Sequence, residues 1–518
     1  MPPLQKVPPP PKRATFTEKF FTLLFFLILV ISIAVKIYKA DHAGISFDER
    51  ANFRLFSGSL DQATHDFHTT NNHVLNSVFM YYAHKCFSFY EHFIRIPSLI
   101  AGIMFSLAAA YIVWKTISSP ALRAAGLALI SLVPWVFNYS FLARGYAFAL
   151  AGIYLEIALA LWLLEHKIKF VYCWIPIIFI SLLNFLAFGA MLSSFQMVGA
   201  FNAVFILFCA AKIFRNQPSK WIAVVIHAAG IGLLSFLLIY GLYQHVYQDI
   251  IDNPVLKDIA KGWNGWPDFV GYMKRLIGGL VFKTGTGLGR GLYYFSLSFL
   301  LVGIGFHVYK LRDAVKKKAW REYLKTDDPG NFVLMTTVLT AIFLFLYSVV
   351  LVRSPGLLRN QVFFIPLVLL SGIIVLDRWG RRLQNLVTRR IVITMASVTI
   401  AAITLHNLPT CCYARPVSSI SGPVLRKLKD LDPNKTWRIG FTRKKKNFRV
   451  SFYYYKQFDY KFEIVDYKYN LQKPKKYCDV VICDKSEQPA GVVCLAPDYF
   501  RKTTCSVILN QPPPRPRP

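Results

Sequence analysis

The chain is 518 residues long and 54% hydrophobic, and it carries 60 Lys and Arg against 27 Asp and Glu, a formal net charge of +33. Apolar runs of 18 or more residues recur along it, each long enough to cross a hydrocarbon core about 30 Å thick, which excludes a soluble globular chain. The basic excess sits mainly in the connectors between those runs and comes with no nucleic-acid motif, so it is the charge bias of a membrane protein and no nucleic-acid partner is expected.

Residues 1–19 form a proline-rich leader with Lys6, Lys12, Arg13 and Lys19, expected to be disordered and cytoplasmic. The first span, 20–38, runs into Lys39-Ala40-Asp41-His42 with no small-residue cleavage site, the pattern of a retained anchor. Further spans are predicted at 95–114, 121–139, 145–164, 170–188, 190–211, 221–243, 288–309, 332–352, 360–377 and 391–408, eleven in all. Lys167 and Lys169, then Lys212, Arg215 and Lys220, seven Lys or Arg between 310 and 325, and five between 378 and 390 share a side with the leader. The turn around Gly189 has none. This asymmetry predicts a multi-pass protein of the inner (plasma) membrane, with a cytoplasmic N-terminus.

Three segments then lie outside: a loop at 39–94, a loop at 244–287, and residues 409–510 followed by a Pro-rich tail, 511–518. Asn72 to Tyr90 is apolar on one face and predicts a helix lying at the interface. Beyond residue 409, strand-like stretches at 437–441, 462–465 and 480–483 flank an aromatic amphipathic stretch at 449–457, the alternation of a small α/β domain. Six of the nine cysteines (411, 412, 478, 483, 494 and 505) fall there, where oxidation is permitted; one or two disulfides are expected in preference to a metal site. The fold class expected is an all-α polytopic membrane domain over 20–408 with an extracytoplasmic α/β domain.

The loop at 39–94 concentrates the chemistry. Asp48 and Glu49 emerge directly from the first helix, a depth at which ionisable groups are costly unless they serve a water-accessible cavity. Asp61, His65, Asp66, His68, Asn71, Asn72 and His73 follow, and an ordinary solvated loop remains the plain reading for Asp61 and Asp66. The three histidines match no firm metal spacing. Arg95-Ile96-Pro97-Ser98 opens the second span, and Ala143-Arg144-Gly145-Tyr146-Ala147 opens the fourth.

The acidic pair after the first span, the Asn/His entry to an interfacial helix, and the R-x-P-S and A-R-G-Y-A openings resemble, in order and spacing, the protein O-mannosyltransferase family (glycosyltransferase family 39). That family includes bacterial relatives that transfer aminoarabinose to lipid A. The resemblance implies a GT-C fold and an inverting glycosyltransferase that takes sugar from a polyprenyl-phosphate donor to an acceptor hydroxyl of a lipid, glycan or protein at the outer face. It implies Asp48 as the base, with Glu49 its partner. One carboxylate suffices, because a lipid phosphate departs without a general acid.

Arg144, Arg353, Arg359 and Lys283 are the candidate cations for the donor phosphate. Arg359 opens Arg-Asn-Gln-Val-Phe-Phe-Ile-Pro, similar to the start of a late family helix that contacts lipid phosphate. Each arginine can equally be a snorkelling interfacial residue, and the glycine run beside Lys283 a plain loop. His73, Asn72, Tyr146 and Asp66 are expected to line the substrate. No cofactor is firmly implied, and a divalent metal is left open. Two departures stand out: Ser140-Phe141-Leu142-Ala143 carries no carboxylate before Arg144, and no Pro follows His73. A lipid or glycan flippase is the alternative from another class, but the internal repeats of such transporters are not evident; a scaffold subunit is a third.

Overall fold

The computed structural model describes residues 15–65, 72–87, 90–165, 174–216, 221–252, 266–271, 305, 312, 328–350, 362–383, 385–412, 421–442, 460–469, 478–484 and 505–509. The chain is a multi-pass membrane protein: seven of its described helices are long and apolar enough to cross a bilayer. The first, α1 (Phe16–His42), starts from a reciprocal capping box between Thr15 and Glu18. Three short helices follow, α2 (Phe47–Phe56), α3 (Leu60–His65) and α4 (Val74–Phe87). Then come α5 (Ile96–Thr116), α6 (Pro120–Leu132), α7 (Pro134–Tyr139), α8 (Tyr146–Glu165), α9 (Trp174–Ala190), α10 (Phe195–Asn216), α11 (Trp221–Tyr243) and α12 (Tyr247–Asp252). The helical series ends with α13 (Pro329–Phe345, continued by a π-helical turn), α14 (Phe364–Arg382), α15 (Leu386–Cys412) and α16 (Ser421–Leu431).

Ten of the eleven expected spans overlap described helices, and seven of those helices are long and apolar enough to cross a bilayer; the span expected at 288–309 lies outside the described residues. The expected span 121–139 is corrected: it is two helices, broken where Val133 turns extended ahead of Pro134. A proline disfavours the helical conformation of the residue before it and lacks the N–H that would continue the ladder.

Packing between spans uses small residues and polar links, as expected where lipid offers no hydrophobic contrast. A Cβ on Gly102 would stand 1.7 Å from the Ser140 carbonyl, so the glycine is what lets α5 meet the α7 end. The amide of Asn184 bonds both Asn202 and Ser235, tying α9 to α10 and α11. Asp377 of α14 accepts from the backbone N–H groups of Ser118 and Ser119 at 3.0 and 2.9 Å, closing the start of α6. Glu156 is buried in α8 and neither carboxyl oxygen has a hydrogen-bond partner among the described residues. An unpaired buried polar group costs about 1–3 kcal/mol. Glu156→Met is therefore expected to raise the melting temperature of the detergent-solubilised protein.

The chain ends in a four-stranded sheet of order β2-β1-β3-β4, from β1 (Trp437–Thr442), β2 (Phe462–Tyr469), β3 (Val480–Asp484) and β4 (Cys505–Leu509). β1 runs parallel to β2 and β3, and β4 runs antiparallel to β3. Val424, Leu425 and Leu428 of α16 cover Ile439, Phe441 and Ile482 of the sheet. The result is the small α/β unit expected from the alternating pattern. The stretch at 449–457 lies outside the described residues, Cys478 and Cys483 are buried in the unit, and the side chains of the other four cysteines there are not among those described.

Candidate functional site

The site is assembled where α1 ends. After His42 the chain turns extended, and Ser46 caps α2: the Glu49 N–H donates to Ser46 Oγ at 3.2 Å, and the Ser46 N–H donates to Glu49 Oε2 at 2.8 Å. Glu49 is fully buried. Arg95 grips it with both arms of the guanidinium, Nε to Oε1 and Nη2 to Oε2, each at 2.7 Å. The Ala143 N–H adds a bond to Oε1 at 2.9 Å. Burial alone would push the Glu49 carboxyl up, but the Arg95 charge and these donated bonds together hold it below the usual range.

Arg95 uses its remaining N–H groups on the carbonyls of Ala40, Ala43 and Gly44. All five donors of the guanidinium are thereby engaged. One side chain at the head of α5 fastens the last turn of α1, the linker and the first turn of α2. In the sequence Arg95 is visible only as the first residue of the R-x-P-S opening, with no role attached to it. The available signal was Ser46-Phe47-Asp48-Glu49 itself, a capping-box pattern that assigns the glutamate, and not the aspartate, to the helix start.

Asp48, one residue earlier, points elsewhere. Its side chain is 40% exposed, and Oδ2 meets Nη1 of Arg144 at 2.8 Å, while the Arg144 side chain is only 4% exposed. A buried cation thus presents a carboxylate to the open side. The Arg144 guanidinium lies 5.7 Å from the Tyr146 ring centroid, and the His73 ring stands edge-on to the same ring at 5.5 Å. Tyr139 packs on Tyr146 at 4.3 Å. The structure therefore brings Asp48, Arg144, Tyr146 and His73 into one cluster, with Glu49 directly behind it.

Gly145 makes that convergence sterically feasible. A Cβ there would fall 2.1 Å from the Ala190 carbonyl oxygen and 3.1 Å from His73 Cβ. Gly145→Ala is expected to cost about 1–3 kcal/mol through overpacking, read as a lower melting temperature.

Asn72 is occupied in holding its loop: its Oδ1 accepts from Ser77 Oγ at 2.7 Å, and Nδ2 reaches the Ala63 carbonyl at 3.5 Å. The helix expected at the interface is α4, which buries Val74, Leu75, Asn76, Ser77, Met80 and Ala83. Asp61 and His65 form an exposed pair at 3.1 Å, and the His65 ring lies tilted by 39° against His245 with centroids 4.2 Å apart. Among the described residues no group of three or more His, Cys, Asp or Glu could hold a metal ion. Asp66, Lys283, Arg353 and Arg359 lie outside the described residues.

No protein-family model matches the chain, and no curated protein does. Among solved structures the chain is similar to ArnT from Cupriavidus metallidurans bound to undecaprenyl phosphate, with 12% identity and a TM-score of 0.48 over 94% of this chain and 98% of that one. It is also similar to the archaeal oligosaccharyltransferase AglB from Archaeoglobus fulgidus in complex with an inhibitory peptide and a dolichol-phosphate, with 12% identity and a TM-score of 0.46 over 91% of this chain and 70% of that one.

Proposed function

We propose that this protein is an inverting glycosyltransferase, moving a sugar from a polyprenyl-phosphate donor to an acceptor hydroxyl at the outer face of the plasma membrane. The observation that carries the reading is the Asp48–Arg144 pair: a half-exposed carboxylate fixed by a buried arginine, at the end of a membrane helix bundle. Asp48 takes the proton of the acceptor hydroxyl. The acceptor oxygen attacks the anomeric carbon from the face opposite the phosphate, the bond from that carbon to the phosphate oxygen breaks, and its electron pair leaves with the lipid phosphate. Configuration at the anomeric carbon inverts.

Arg144 has two uses in this scheme. It orients Asp48 in the resting site, and its cationic fork suits the charge that gathers on the departing phosphate. Lys283, Arg353 and Arg359 are further proposed contacts for that phosphate. Glu49, with every oxygen already engaged, supports the base by holding α2 in place. His73 and Tyr146 line the acceptor side, and Asp66 is a proposed lining residue of the same loop. The domain division proposed is a leader to 19, a catalytic membrane domain at 20–408, the α/β unit to 510 and a tail.

Mass spectrometry of envelope glycans and glycolipids, with and without the protein, tests the reading. Loss of one sugar from one acceptor supports it. Lipid redistribution between leaflets with every glycan intact overturns it in favour of a flippase.

A further inference from the structure

Between α4 and α5 lies a five-residue segment, Glu91 to Arg95, whose two ends make different connections. Arg95 forms the clamp on Glu49 and the α1 end. Glu91 faces the C-terminal α/β unit. Its Oε1 accepts from Nη1 of Arg426 on α16, and its Oε2 accepts from the Tyr460 hydroxyl at 2.8 Å, just ahead of β2. The Glu91 side chain is only 11% exposed, and Arg426 reaches it from the surface with 36% of its own side chain exposed. Tyr90, next to it, donates its hydroxyl to Asp41 at the end of α1.

Beside Glu91 also stands His92, with ring Nδ1 3.8 Å from Glu91 Oε1. Burial, then the charges of Arg95 and Arg426, push its imidazole down to about 2, so it stays neutral beside Glu91. Arg426 is a cation that holds Glu91.

The apolar contacts follow the same line. Phe93 and Ile94, in the middle of the segment, are fully buried in one cluster with Ile439, Phe441, Val480 and Ile482 of the sheet. Ile45 and Ala143 belong to that cluster too. Ile45 lies three residues before Asp48, and Ala143 immediately precedes Arg144. The buried cluster that the sheet shares with this segment thus reaches residues close in the chain to both members of the Asp48–Arg144 pair.

We infer that the C-terminal α/β unit sets the geometry of the Asp48–Arg144 pair, with Glu91 as a positioning residue latched by Arg426 and Tyr460. The unit braces the site through this segment rather than being an appended module. The latch geometry stands alone; its consequence for turnover rests on the sugar-transfer reading.

A charge exchange tests it in the full-length protein in proteoliposomes. Glu91→Arg and Arg426→Glu are each expected to speed amide hydrogen exchange in 43–49 and 141–145. Each should also lower kcat about 100-fold, the scale set by a displacement of about 1 Å at a reacting group, with the KM for the lipid donor little changed. The double variant Glu91→Arg/Arg426→Glu restores the opposed pair and is expected to recover both readouts.

Unchanged exchange in the single variants, or no recovery in the double variant, overturns the inference. If exchange rises and recovers while even the unaltered protein transfers no sugar, the latch stands and the sugar-transfer reading fails. A general loss of folding is recognised separately, because it would raise exchange throughout α8 and α9 as well.

Discussion

Asp48→Asn is expected to lower the rate of sugar transfer by about 10²–10⁴-fold, the usual contribution of a positioned general base. An amide oxygen cannot take the acceptor proton at neutral pH, yet asparagine matches aspartate in size and can still accept a hydrogen bond from Arg144. The start of α2 does not depend on this side chain, since Ser46 and Glu49 cap it. Asp48 is 40% exposed, so its own charge is partly screened, but Arg144, only 4% exposed, loses that counter-charge, and a moderate fall in stability is expected. Insertion should therefore be kept, with a moderate fall in melting temperature, while turnover collapses. Transfer at the native rate by Asp48→Asn protein in proteoliposomes would remove Asp48 from the role of base.

The second large effect is structural. Arg95→Ala strands the buried Glu49 carboxylate and opens three backbone carbonyls, and breaking a buried ion pair on one side costs about 3–5 kcal/mol. Arg95→Lys should recover little, because an ammonium is a compact charge without the planar fork that spans both carboxylate oxygens. The measurement is thermal unfolding in detergent together with proteolysis of the 43–59 segment.

Acid should act on the same clamp in the unaltered protein. The folded carboxyl of Glu49 sits below its ordinary value of 4.5, so its contribution is fully present above about that pH. It is lost as pH falls through the lower folded value. Melting temperatures of the unaltered protein that fall between pH 8 and 6, while those of the Arg95→Ala variant stay flat, would contradict the sign.

The spans were legible because a bilayer demands unbroken apolar runs, and ten of them carry helices in the structure. Pro134 was visible in the sequence, yet its run stayed apolar across the break, so hydropathy alone joined α6 to α7. The acidic pair was legible as a pair but not as two different residues. Successive helical positions point about 100° apart, so Asp48 reaches the open side while Glu49 turns inward. Arg95 and Glu49 are 46 residues apart, and no local pattern announces a contact across that distance. The docking of the α/β unit is further still from local signals, since Glu91 and Arg426 are 335 residues apart.

Those separations also set an order of assembly. At a synthesis rate of about 5–20 residues per second, Arg95 follows Glu49 by roughly 2–9 seconds, so the clamp can close while the second span is still entering the bilayer. Arg426 follows Glu91 by roughly 17–67 seconds, and Asp377 reaches Ser118 only after most of the bundle has been made. The nascent protein can thus form its clamp early in synthesis, while the braced geometry must wait for one of the last segments to be made.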